Sequence, residues 1–204
     1  MSEKKIVLPG DLITDQRKKL GSNVYLQDSK IYSSVIGILH ESGDYVSVIA
    51  LNGAYIPHEG DGIIAIVSDE VANGYVFEYN SVSDIFIPKS KVSKSLRIGT
   101  VIYARIKEIT VNDSIELDNM NILPSGRIYQ TSPVKVPRFI GKNESMLGLF
   151  KEYGNVVIGK NGWIWYTTEQ PKLFERAFNL IAKNSQKSNL TNSVKEFLKN
   201  NKSD

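Results

Sequence analysis

Two glycine-bounded tetrapeptides, Gly141-Lys142-Asn143-Glu144 and Gly159-Lys160-Asn161-Gly162, are the segments of this 204-residue chain whose residue types suit them to an anion. Glycines let backbone amides approach a phosphate closely, and a lysine in the turn adds positive charge. The first segment departs from that pattern at Glu144, which adds bulk and negative charge where a second glycine would leave room for phosphate oxygens. Lys142 is therefore a candidate phosphate contact in a poor clamp. The second segment is too short and wrongly continued for a nucleotide-binding Walker loop.

A second set of candidates is cationic. Residues 1–57, 58–124 and 125–204 carry net charges of 0, −4 and +7, and the chain as a whole carries +3. Within the acidic middle segment the basic residues are Lys89, Lys91, Lys94, Arg97, Arg105 and Lys107, in a stretch without Asp or Glu. Such a local patch is either the electrostatic footprint of phosphate binding or a solvated face without a partner. Two acidic groups, Asp69 with Glu70 and Asp113 with Glu116 and Asp118, have the chemistry of magnesium ligands. They fall at expected turns and strand edges, where solvated acids are the ordinary reading, so no catalytic residue is assigned. The chain has no cysteine and two isolated histidines, His40 and His58, so neither a metal nor a cofactor is expected.

The elements that must position these residues are mostly short strands. Residues 6–8, 31–39, 45–51 and 54–57 read as a first β domain, 1–57, with turns at Pro9-Gly10-Asp11, Gly43 and Asn52-Gly53. Residues 63–67, 75–79, 85–87, 101–109 and 114–117 read as five strands of a second domain, 58–124, interrupted by a basic link at 89–96. Five strands with that interruption fit an OB-fold barrel. Tyr75, Phe77 and Tyr79 alternate along its second strand and share one face. That face is either a platform on which bases stack or the inward face of the barrel.

After a linker at 119–125, the third domain, 125–204, starts with a strand from Ile128. Pro137 is expected to hold Val136 extended, and Ser145 to cap a helix marked by Met146, Leu149, Phe150 and Tyr153. A strand from Val156, the Gly159 loop, a strand from Trp163 and helices carrying Leu173, Ala177 and Ile181 and then Val194 and Leu198 follow. Helix, glycine loop, helix, strand, glycine loop, strand is the order of a KH domain. The fold class expected is thus multi-domain, mainly β plus α/β.

This order, with the motifs Ser132-Pro-Val-Lys-Val-Pro-Arg-Phe-Ile-Gly-Lys142 and Gly159-Lys-Asn-Gly-Trp-Ile-Trp165, resembles the archaeal exosome RNA-binding cap subunits of the Rrp-four type over nearly the full chain. The resemblance implies a non-catalytic subunit with an OB domain of the ribosomal S-one type. It also implies a homotrimer whose N-terminal domains dock on a ring of RNase PH-like subunits. The partners implied are single-stranded RNA and that ring. The resemblance further implies that Gly159, Asn161 and Gly162 are structural, packed against the barrel. Tyr75 and the six cations are the candidate RNA contacts beside Lys142. A free-standing RNA-binding regulator built from the same modules is the alternative. No apolar run is long enough to span a bilayer, and 1–11 lacks the apolar core of a signal peptide, so a cytoplasmic location is expected.

Overall fold

Period-two alternation of apolar side chains carries most of the chain into strands. The computed structural model describes residues 5–92, 94–112 and 114–201. They group into two units, Met1–Gly53 and Ala54–Asp204.

The first unit is all β: β1 (Ile6–Val7), β2 (Leu12–Thr14), β3 (Lys19–Leu20), β4 (Val24–Gln27), β5 (Lys30–Ser33), β6 (Gly37–Ser42) and β7 (Tyr45–Ala50). They form one sheet ordered β1-β6-β7-β3 and another ordered β2-β5-β4. The β4–β5 hairpin turns on Asp28 and Ser29, both at positive φ (49° and 62°), which suits the right-handed twist of the strands it joins. The core of this unit is small, built from Val7, Ile31, Ile38, Val46 and Val48. Ile6, Leu8, Leu26 and Ile49 are each more than half exposed.

The second unit opens with a curled sheet of β8 (Gly62–Val71), β9 (Gly74–Glu78), β10 (Ile85–Pro88), β11 (Val101–Ile109) and β12 (Ile115–Ile122), in the order β10-β9-β8-β11-β12. Its edge strands β10 and β12 approach each other, giving the OB-type barrel. Ile63, Val67, Phe77, Ile102 and Ile106 fill its interior, and Tyr55 joins the same cluster. Residues 54–57, expected as a strand, form none. Tyr55 instead packs edge-on against Tyr79, with ring centroids 6.1 Å apart. The fifth strand runs to Ile122, through much of what the sequence suggested as linker.

The KH part comprises β13 (Arg127–Gln130), α1 (Val136–Ile140), α2 (Ser145–Lys151), β14 (Gly154–Ile158), β15 (Trp163–Thr168), α3 (Pro171–Lys183) and α4 (Leu190–Asn200). Its sheet is antiparallel in the order β13-β15-β14. Val136 is helical (φ −50°, ψ −43°) and not extended. The 3-10 turn Pro133–Lys135 feeds straight into α1, and burial of the Val136 side chain outweighs the usual restriction before proline. Ser145 is the first residue of α2 and makes no capping hydrogen bond; the residue before it, Glu144, is left-handed at φ 59°.

Phe178 on α3 sits at the centre of this core. Its ring centroid lies 4.8 to 5.9 Å from those of Tyr129, Phe139, Phe150, Phe174 and Tyr166. Deleting a ring that touches five others leaves a cavity that neighbours on three helices and two strands cannot all close. Phe178→Ala is expected to cost about 3–5 kcal/mol in urea unfolding, and Phe178→Leu less than half of that.

Candidate nucleic-acid interface

The loop from Gly159 to Gly162 packs on the barrel as an internal strut, with Asn161 at its centre. Gly162 has φ +87°, the left-handed region that favours glycine, and its amide closes the turn on the Gly159 carbonyl at 3.1 Å. A Cβ on Gly159 would meet the Asn161 side-chain oxygen and stand 2.8 Å from the Ile64 amide. Between them, Asn161 is fully buried. Its Oδ1 accepts from the Ile64 amide at 3.2 Å, and its Nδ2 donates to the carbonyls of Ile64 and Tyr79 at 2.8 and 2.7 Å. Asn80 Nδ2 donates to the Asn161 backbone carbonyl at 2.6 Å. One side chain of the KH hairpin therefore satisfies three backbone groups of the barrel. Around it Trp163 and Trp165 pack on Ile64 in an apolar cluster shared by the two parts.

Beside this strut, Lys160 Nζ reaches the buried Asp61 carboxylate at 2.7 Å, and Tyr55 donates its hydroxyl to the same group at 2.9 Å. Burial alone would push the Asp61 carboxyl up, but the hydrogen bonds from Lys160 and Tyr55 outweigh it and hold the group below the usual carboxylate range. Its own burial, and then the hydrogen bond to Asp61, push the Tyr55 hydroxyl far up. Asp61 belongs to the turn that opens the barrel. Its sequence signal, an acid after Gly60 beside a boundary proline, suggests a turn but not a second role.

The cationic candidates divide into two groups once their neighbours are visible. Lys89 pairs with Glu70 at 2.8 Å, while Glu116 holds Lys91 at 3.0 Å and Lys107 at 3.6 Å. The acid-free stretch of sequence is thus not acid-free in space, because β8 and β12 bring carboxylates across from elsewhere in the chain. Lys91 in turn keeps the Glu116 carboxyl below its ordinary range, with Lys107 adding to the effect. Lys94, Arg97 and Arg105 are exposed and make no ion pair among the described residues.

Tyr75 is a correction. Its ring is buried in the barrel core, its hydroxyl accepts from the Leu96 amide at 3.2 Å, and Lys89 lies 5.6 Å above the ring. Phe77 and Tyr79 are buried with it, so this face of β9 packs the core and offers no stacking platform. Lys142 is exposed in the 3-10 turn Lys142–Glu144, with Asn143 and Glu144 both left-handed at φ 53° and 59°. Lys151 lies 3.5 Å from Glu144.

The acidic groups are drawn into structure of another kind. Glu70 and Glu116 are occupied by lysines, and Asp113 lies outside the described residues. Among the described residues no helix is long and apolar enough to cross a membrane.

Residues 4–52 match the family described as Exosome RNA binding protein RRP4 N-terminal domain. Across 97% of the chain the sequence is 34% identical to the exosome complex component Rrp4 of Methanosarcina acetivorans, covering 83% of that relative. It is 30% identical to Rrp4 of Pyrococcus furiosus, across 97% of this chain and 84% of the relative. The chain belongs to the Rrp4 family of exosome complex components. A crystal structure described as an exosome complex RNA-binding protein shares the fold, with a TM-score of 0.64 at 22% identity, over 72% of this chain and 97% of that one.

Two expectations test the strut. Asn161→Ala orphans three backbone groups at about 1–3 kcal/mol each, so a loss of at least about 3 kcal/mol is expected in urea unfolding. Asn161→Asp should do no better, since its charged oxygen would face two carbonyls. For Asp61, a folded-state pKa below the unfolded value near about 3.9 gives stability that is present above that value and lost as pH falls through the folded value. Asp61→Asn should therefore cost about 1–3 kcal/mol at pH 7. The gap from the parent, followed by thermal unfolding, should narrow below about pH 4.

Proposed function

We propose that this chain is a non-catalytic RNA-binding subunit of an exosome. In that role three copies would cap a ring of RNase PH-like subunits and feed RNA to its 3′ to 5′ phosphorolytic chamber. The observation that carries the reading is the exposed basic set Lys94, Arg97 and Arg105 on an OB barrel, in a chain of the Rrp4 family. Exposed cations on such a barrel suit the backbone of a single strand, which offers regularly spaced charge whatever its sequence.

The first unit supports the docking half of the proposal. A small β unit that leaves Ile6, Leu8, Leu26 and Ile49 more than half exposed has apolar area to bury against a protein partner. Residues 1–57 carry no net charge, with six basic residues matched by six acidic ones. The Gly141 loop contributes less to RNA binding in this reading, because Glu144 both repels phosphate and takes up Lys151.

Counterion release gives the test its numbers. Each phosphate-neutralising cation adds about 0.7 to the slope of log affinity against log salt for a single strand. Charge removal at Lys94, Arg97 and Arg105 together should weaken binding of a labelled RNA and flatten that slope by about 2. Glu116→Gln should act in the opposite direction, steepening it by up to about 1.4 as Lys91 and Lys107 are freed. Unchanged slopes in both variants would place RNA elsewhere or nowhere. For docking, Leu26→Asp with Ile49→Asp should abolish co-elution with the ring on size exclusion. Intact co-elution of that variant would overturn the assignment of these apolar residues to docking.

A further inference from the structure

The KH part carries most of the chain's positive charge, +7 over 125–204. Two of its stretches, 126–143 and 176–195, contain no Asp or Glu. They are far apart in sequence, but α1 contacts α3, and Arg138 Nη2 donates to the backbone carbonyl of Lys187 in the turn after α3. Lys135 and Arg138 are three residues apart where the 3-10 turn Pro133–Lys135 runs into α1, a spacing that puts their side chains on one face. Arg138 and Lys187 are exposed and Lys135 is partly so. None of the three makes an ion pair among the described residues. Glu144 and Glu175, acids of the same part, are held by Lys151 and Arg127 instead.

This cluster differs from the cations of the barrel that are already paired. Lys89, Lys91 and Lys107 must exchange a carboxylate for a phosphate, whereas Lys135, Arg138 and Lys187 have no carboxylate to give up. The Lys187 carbonyl also orients the Arg138 guanidinium without neutralising it. Its remaining N–H groups keep the fork that suits phosphate oxygens, at a lower cost in side-chain freedom than an untethered arginine. Charge of a single sign, with one member held in place, is complementary to a polyanion whose charges recur along its backbone.

We infer that Lys135, Arg138 and Lys187 form a second contact for the phosphate backbone of RNA, on the KH part and outside both glycine-bounded segments. The inference rests on the RNA-binding reading above and adds a site separate from the barrel cations. It reads charge alone, so it serves any sequence.

The full chain would be titrated by fluorescence anisotropy, across a salt series, with a labelled oligouridylate longer than the roughly 4–16 nucleotides that an OB fold covers. Lys135→Gln with Lys187→Gln leaves the Arg138 hydrogen bond in place, since that bond uses the Lys187 backbone. This double variant should flatten the slope of log affinity against log salt by about 1.4, and adding Arg138→Gln should bring the loss to about 2. Lys172→Gln with Lys199→Gln removes the same charge at the other end of α3. Lys172 is in its first turn, and the Arg176 side chain donates to Asn201, which brings the end of α4 to that end too. The slope of this control should stay close to the parent's. Equal flattening by the two double variants would overturn the site in favour of net charge, and an unchanged slope in the first would overturn it while leaving barrel binding intact. Failure of the parent to bind the oligomer would overturn the RNA-binding reading itself, and this contact with it.

Discussion

The buried amide of Asn161 is the contact on which the second unit depends. A carboxamide carries an acceptor and two donor hydrogens on one rigid group, and here each meets a backbone group of the barrel, at Ile64 and Tyr79. No other side chain of that size can do this uncharged. The requirement propagates into the turn. Gly159 must lack a Cβ for Asn161 and Ile64 to come together, and Gly162 must reverse the chain at positive φ before β15 starts. The Trp163 and Trp165 rings then close the apolar cluster against Ile64. Hydrogen bonds specify the docking geometry in this arrangement, and burial of the indole rings supplies much of its free energy.

Electrostatics in the barrel follow a different logic, because the groups are exposed. An ion pair such as Lys91 with Glu116 stabilises little in water. Its consequence is for binding, since a cation held by a carboxylate must exchange that partner for a phosphate. Lys89, Lys91 and Lys107 start from such an exchange, while Lys94, Arg97 and Arg105 do not. Charge counted along the sequence overstates what an RNA strand would meet.

What the sequence made legible was what local chemistry fixes. The five barrel strands were readable because Ile63, Val67, Phe77, Ile102 and Ile106 recur with alternation between glycine and proline punctuation. The KH order was readable because its helices and strands change period at glycine loops. Strands β2, β3 and β4 were missed, since two to four residues with half-exposed side chains give no period to detect. The aromatic stripe on β9 could not be assigned to one face from its spacing, because the inner and outer faces of a barrel share the same alternation. Burial assigned it to the core. Pairs such as Glu116 with Lys91, Asn161 with Ile64 and Asp61 with Lys160 join residues 25 to 99 positions apart, and no local pattern announces them.

Under the proposed role, modest contacts are an advantage. A strand that must pass continually toward a catalytic chamber is hindered by any site that holds it too well, so capture should come from several weak sites in place of one strong one. Three copies around an entry would multiply weak contacts through effective concentration without slowing release at any single one. Cations already shared with carboxylates, and a glycine loop weakened by Glu144, both lower the grip of an individual site. The tight, buried hydrogen bonds are kept where nothing has to move, between the barrel and the KH hairpin. The division of labour in that role would be physical: neutral, desolvated contacts fix the framework, and solvated charges, which exchange partners readily, would meet the strand.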